Sequence, residues 1–179
     1  MARPASGIVK TNVSGSFTLS DGTSPAAVTL VASFDRGDFA LSGFKQILNE
    51  DVAVERRGKF VSVAHGNRMY PSVTFSFWVD GFASSGSAPG TEIEFLLQDG
   101  AYASNASTLG TGADVPYAID IIYTIEGTDF GDSADHTFTL TDVQITDVSY
   151  TEAAEGNSVT VTGTVRGAIT GDIAAAQIA

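Results

Sequence analysis

Apolar and polar residues alternate along most of this chain. Val73, Phe75, Phe77 and Val79 alternate with Thr74, Ser76, Trp78 and Asp80, which predicts a strand with one buried face. Tyr117 to Glu126 repeats the pattern with Ile119, Ile121, Tyr123 and Ile125 inward. Near the C-terminus Val159, Val161 and Val165 face one way and Thr160, Thr162 and Thr164 the other. Two further strands are expected early, at Gly15 to Ser20 (Phe17 and Leu19 on one face) and at Ala26 to Phe34 (Val28, Leu30, Ala32 and Phe34), with Asp21-Gly22 as a turn between them. Phe39, Leu41 and Phe44 continue the apolar pattern. From Phe138 the apolar positions run Phe138, Leu140, Val143, Ile145, Val148 and Tyr150, at intervals of two, three, two, three and two. A period of two that slips twice predicts a strand with two bulges or bends, able to turn a barrel corner or pass between two sheets.

One stretch departs from this rhythm. In Gly90 to Gly100, Thr91 and Glu94 have the spacing of a capping box, and Glu92 and Glu94 sit where the helix dipole favours anions. Ile93, Leu96 and Leu97 fall at i, i+3 and i+4, and Gly100 is placed to end the helix in the left-handed conformation. A helix over about 91–99 is too short to stand alone. It must lay its stripe on a sheet. The fold class that follows is mainly β, an antiparallel β-sandwich or half-barrel with one flanking α-helix.

Ile47 to Arg68 fits neither pattern well. Val52, Val54, Val61 and Val63 alternate but are sparse, and Glu55-Arg56-Arg57-Gly58-Lys59 interrupts them. This reads as a long protruding hairpin, either a solvated surface feature or an element that docks on another subunit. Residues 1–14 and 168–179 read as terminal arms around a single domain, 15–167.

Charge sharpens the picture. The net charge is −12, and residues 69–179 carry a single basic residue, Arg166. Four of the nine basic residues lie between Arg56 and Arg68. Such a balance excludes ordinary nucleic-acid binding, which needs clustered cations. An acidic face and a near-neutral one suit head-to-tail stacking of identical subunits. There is no cysteine, and no apolar run has the length of a signal-peptide core or a membrane span.

No catalytic constellation is legible, and no cofactor is expected. His65 and His136 lie far apart, and no nucleophile elbow, His-Glu-x-x-His or phosphate-binding loop occurs. The chain is read as a non-enzyme. Asp129, Asp132 and Asp135 near His136 form an acidic turn whose spacing lacks the EF-hand pattern. Arg36-Gly37-Asp38 is an integrin-type triplet too short and common to carry weight. Trp78, Tyr70 and Tyr102 keep a carbohydrate-binding module open as a class, alongside a capsid decoration or fibre-type virion protein.

Taken in order, several segments together resemble the major tail tube proteins of long-tailed bacteriophages. They are the Val73–Val79 strand, the capped helix ending Leu96-Leu97-Gln98-Asp99-Gly100-Ala101-Tyr102, Tyr117 to Ile121, Ile125-Glu126-Gly127, Phe138 to Val143, Tyr150 to Asn157 and Val161 to Gly167. The resemblance covers roughly Val73 to Gly167 and rests on the order of elements. It implies a virion tail protein made in the host cytoplasm, six subunits to a ring, and rings stacked into a hollow tube. DNA would pass through the tube without specific binding. It also implies partnership with tape measure, terminator and distal tail proteins, and no catalytic residues. The hairpin and arms would bridge subunits, which makes Arg56, Arg57, Lys59 and Arg68 expected inter-subunit contacts; Trp78, on the polar face of its strand, is expected either to cover the helix or to lie in such an interface.

Overall fold

A computed structural model of the chain describes residues 16–32, 39–43, 49–79, 91–125, 134–154 and 156–171. Asp129, Asp132, the Arg36–Asp38 triplet, Phe34, Phe44, Ile47 and residues 1–14 and 172–179 lie outside this set, and with them most of the acidic turn and of both expected arms.

Ten strands are described: β1 Ser16–Ser20, β2 Thr29–Ala32, β3 Phe39–Ser42, β4 Asn49–Arg56, β5 Lys59–Arg68, β6 Ser72–Trp78, β7 Ala118–Ile125, β8 His136–Thr151, β9 Ser158–Val165 and β10 Ile169–Gly171. The single α-helix among the described residues, α1, spans Glu92–Leu97. Eight strands form one antiparallel sheet in the order β2-β1-β7-β8-β9-β6-β3, with β10 added to β8, and β4 and β5 form a two-stranded sheet of their own.

The sixteen residues of β8 organise the sheet. Its first half pairs with β7 on one side and β10 on the other, and its second half pairs with β9. Both predicted slips are present. Across from β7 the register jumps between Leu140 and Val143, where Asp142 takes a left-handed φ of 55°. Across from β9 it jumps between Ile145 and Asp147, which leaves Thr146 as the extra residue. The first bulge is stitched from three sides. The Asp142 N–H donates to Asp120 Oδ1 at 2.9 Å. The Arg166 N–H donates to the Asp142 carbonyl at 3.0 Å, and Gly167 N–H to the Thr141 carbonyl at 3.1 Å.

A strand that bends twice carries the sheet around on itself. Phe39 of β3, at one end of the strand order, has its ring 4.4 Å from Tyr123 of β7 and 5.7 Å from Phe17 of β1. Phe17 in turn lies 5.0 Å from Phe75 of β6. Strands distant in the ladder therefore meet across a common interior, as in a sandwich or half-barrel. The alternation in β6, β7 and β9 maps onto this core: Val73, Phe75, Phe77, Ile119, Ile121, Val159, Val161 and Val165 are all buried. Gly163 holds the remaining inward place on β9, where a Cβ would lie 2.8 Å from Val143 Cγ1.

Helix α1 has the predicted capping box, with Glu94 N–H on Thr91 Oγ1 at 3.3 Å and Thr91 N–H on Glu94 Oε2 at 3.0 Å. It ends earlier than expected. The left-handed residue that closes it is Gln98, at φ 53°, while Gly100 opens a separate 3-10 turn over Gly100–Tyr102. The buried face also differs: Phe95 and Leu96 are enclosed, Ile93 is half-buried, and Leu97 is 56% exposed. Six residues make too few turns for a full stripe to form.

Asp21-Gly22 is not a two-residue turn. Asp21 is buried and acts as a clasp for the loop ahead of β2, while Gly22 lies close enough to the 106–108 backbone that a Cβ would sit 2.3 Å from the Ser107 carbonyl oxygen. That loop makes β2 start at Thr29, three residues after the Ala26 expected. Ile169–Gly171, just past Ala168, add to β8 through Ile169↔Leu140 and Gly171↔Phe138.

Candidate assembly surface

The 47–68 stretch is described from Asn49 and forms the expected hairpin. Arg57 and Gly58 join its strands with φ of 55° and 73°, the paired left-handed geometry of a type I′ turn, which follows the strands' own twist. Pairs run from Asn49↔Arg68 at the root to Arg56↔Lys59 at the tip. Almost every side chain faces solvent. Val52, Val54, Val61 and Val63 are exposed, and Phe60 reaches 66%. A lone two-stranded ribbon with bare apolar side chains is marginal in water. This one carries five such residues.

The five sequence-predicted contact residues fall into three places. Arg56, Arg57 and Lys59 crowd the tip and make no ion pair with any described residue. Arg68 belongs to the root, nine residues along β5 and so roughly 30 Å from the tip. Its guanidinium lies 5.4 Å from the centre of the Tyr70 ring, and that of Arg166 lies 4.5 Å from the same ring. Arg166 is fixed further by Nε and Nη2, which donate to Gln144 Oε1 at 3.1 and 3.0 Å. This cation–π cluster ties the hairpin root to β8 and β9. Sequence reading missed it, because Gln144, Arg166 and Tyr70 share no local pattern.

Trp78 ends β6, six residues and roughly 20 Å from Ser72 at the hairpin side. Its ring covers Gly156 in the turn between β8 and β9, where a Cβ would meet Cζ3 at 3.0 Å. Tyr102 is half-buried, its ring edge-on to Phe95 at 5.1 Å. Trp78, Tyr70 and Tyr102 are thus each engaged within the chain, in three separate places. Among the described residues no cluster of His, Asp or Glu could hold a metal ion, and no helix is long and apolar enough to cross a membrane.

A second feature lies between α1 and the outer part of β8. A groove of about 470 Å³ is lined by Leu96, Leu97, Pro116, Tyr117 and the run from Gln144 to Val148. Behind it the 105–117 loop is held by Asn105, whose Nδ2 donates to the Tyr117 hydroxyl at 3.3 Å. Burial pushes the Tyr117 phenol up to about 12; the Asn105 bond opposes this and the Asp21 charge reinforces it. Burial likewise raises Asp120, with the Asp142 N–H opposing and the Asp142 charge adding.

No family model and no curated protein matches the chain. Among solved structures, a chain of the anti-feeding prophage baseplate, determined by cryo-EM with six-fold symmetrisation, superposes with a TM-score of 0.48. The identity is 10%, over 96% of this chain and 97% of that one.

Proposed function

We propose that this chain is a structural subunit of a phage-type tail that assembles with copies of itself, six to a ring, into a stacked hollow tube. The observation that carries the reading is the β4–β5 hairpin. It stands outside the core, exposes five apolar residues and gathers at its tip cations that pair with no described residue, on a chain that is otherwise strongly acidic. Such an element is suited to a protein neighbour, and the nearest source of complementary charge is another copy. The order of strand, capped helix and bulged strand in the sequence agrees with the tail tube resemblance.

A ring of six would carry 6 × −12 = −72 charges. Acidic residues along its bore would repel phosphates, so DNA would slide without being held. Ring closure by head-to-tail contacts, followed by stacking, gives an open-ended filament. In this reading Arg56, Arg57, Lys59 and Arg68 meet carboxylates of the adjacent subunit, and the exposed part of Trp78 adds an apolar contact. Tape measure, terminator and distal tail proteins would be the further partners.

The test is electron microscopy of the purified chain over a concentration series at low salt. Hollow tubes or stacked rings are expected, and fewer of them when Arg56, Arg57 and Lys59 are changed to Glu. Monodisperse monomers or trimers at every concentration would overturn the reading. Unchanged assembly of the charge-reversed chain would remove the hairpin's electrostatic role.

A further inference from the structure

The groove beside α1 touches five consecutive residues of β8, Gln144 to Val148. Side chains alternate between the two faces of a strand. A cavity that meets all five therefore runs along the strand's side, not over one face. On that side the β7 ladder stops at Ala118↔Gln144, while on the other side pairing with β9 continues to Thr151↔Ser158. Among the described residues, Ile145 to Ser149 thus present a strand edge with no neighbour. Leu96, Leu97 and Pro116 line the trough beside it. An open edge next to a trough of mixed polar and apolar lining is the geometry of strand addition, in which main-chain hydrogen bonds supply affinity and side-chain pockets supply register.

We propose that this slot receives β5 of the hairpin from a second copy of the chain. The inference rests on the assembly reading above and names the surface that the hairpin meets. Three observations select this occupant. Among the described residues the outer edge of β5 has no strand neighbour, since β4 and β5 form a two-stranded sheet. β5 carries Phe60, Val61 and Val63, all more than half exposed, and the groove has the volume to take side chains of this size. Charge is complementary as well. Residues 49–68 hold four bases and three acids, a balance of +1, which leaves −13 on the rest of the chain, and Asp147 lines the slot itself. Docking would place apolar side chains of β5 against Leu96 and Leu97 and bring hairpin cations toward Asp147. It would also continue the sheet from one copy into the next.

The chain has no cysteine, so single cysteines can be introduced cleanly. Phe60→Cys and Leu97→Cys chains are prepared separately, mixed at assembling concentration and mildly oxidised. Both positions are exposed, so neither change disturbs the core. A disulfide requires Cα atoms within about 7 Å. The expected result is a linked heterodimer at least tenfold above that from Phe60→Cys mixed with Leu109→Cys, which lies outside the groove. Amide exchange should slow on assembly at those residues of Ile145 to Ser149 whose N–H points away from β9. If rings or tubes form but the two mixtures link equally and those amides stay unprotected, the slot assignment is overturned while the assembly reading stands. If no assembly forms under any condition, both fall.

Discussion

Removing the Asp21 carboxylate should cost this fold about a third of an ordinary domain's stability. Asp21 is 3% exposed and sits where β1 hands over to the loop before β2. Its Oδ1 accepts from the Val28 N–H at 2.6 Å and the Thr23 N–H at 3.1 Å. Its Oδ2 accepts from the Ala106 N–H at 3.2 Å and from the Thr23 hydroxyl. In Asp21→Ala the Ala106 amide keeps a partner, Thr23 Oγ1 at 3.3 Å, but the Val28 and Thr23 amides lose their bonds to the carboxylate. The Val28 carbonyl still accepts from the Asp21 N–H at 3.0 Å, which holds the loop in place around the gap. Each orphaned amide costs about 1–3 kcal/mol, and hydrogen bonds to a charged acceptor lie toward the upper end, so the loss should be about 4 kcal/mol. For a chain of this length that corresponds to a fall of roughly 10 °C in Tm. The assay is urea unfolding at low protein concentration, with exposed Asp114→Ala as the control for lost charge. Asp21→Asn keeps Oδ1 as an acceptor and should recover about half the loss. An Asp21→Ala cost below about 1 kcal/mol, equal to that of Asp114→Ala, would refute the clasp.

Two other predictions address the core and the groove wall. Gly163→Ala puts a methyl 2.8 Å from Val143 Cγ1 and 3.2 Å from the Gln144 carbonyl oxygen, so overpacking should destabilise by about 2 kcal/mol in urea unfolding. In the Val143→Ala background the same change should cost less, and strict additivity of the two would show that the contact is not the cause. For Tyr117, burial lifts the folded phenol from 10.0 to about 12, so between those values the folded chain keeps a proton that the unfolded chain releases. Stability should therefore fall as pH rises through that window, and Tyr117→Phe should flatten the fall. The phenolate absorbance that Tyr117→Phe removes should appear near pH 12; its loss near pH 10 instead would sink the assignment.

The parts of the fold legible in the sequence were those written in local spacing. The three-residue intervals after Leu140 and Ile145 marked both bulges of β8, because a bulge inserts one residue and shifts the buried set by one. Thr91 and Glu94 announced the capping box, and the charged Arg56–Lys59 run between sparse valines announced a hairpin outside the core. What stayed hidden depends on partners far along the chain. Asp21 reads as half of a turn dipeptide until Ala106, 85 residues on, supplies the amide that makes it a clasp. Phe95 replaced Leu97 on the buried face of α1, with Ile93 left half-buried against the core, because so short a helix is oriented by the sheet beneath it. The groove and the Arg68–Tyr70–Arg166 cluster join residues with no common period. For the same reason the named contact residues, chosen by charge and exposure, divide among tip, root and the far end of β6.

The pairing of β6 with β9 has a consequence for how the chain is made. Ser72 meets Thr164 and Trp78 meets Ser158, so β6 leaves the ribosome long before its inner neighbour exists. At elongation rates of about 5–20 residues per second, the 92 residues from Ser72 to Thr164 take roughly 5–20 s. Throughout that interval Val73, Phe75 and Phe77 form an alternating apolar strand whose one ladder partner already made, among the described strands, is the short β3. Crowded polysomes would bring such nascent strands side by side. The yield of soluble chain should then depend on chaperone capacity during synthesis more than on the stability of the finished fold.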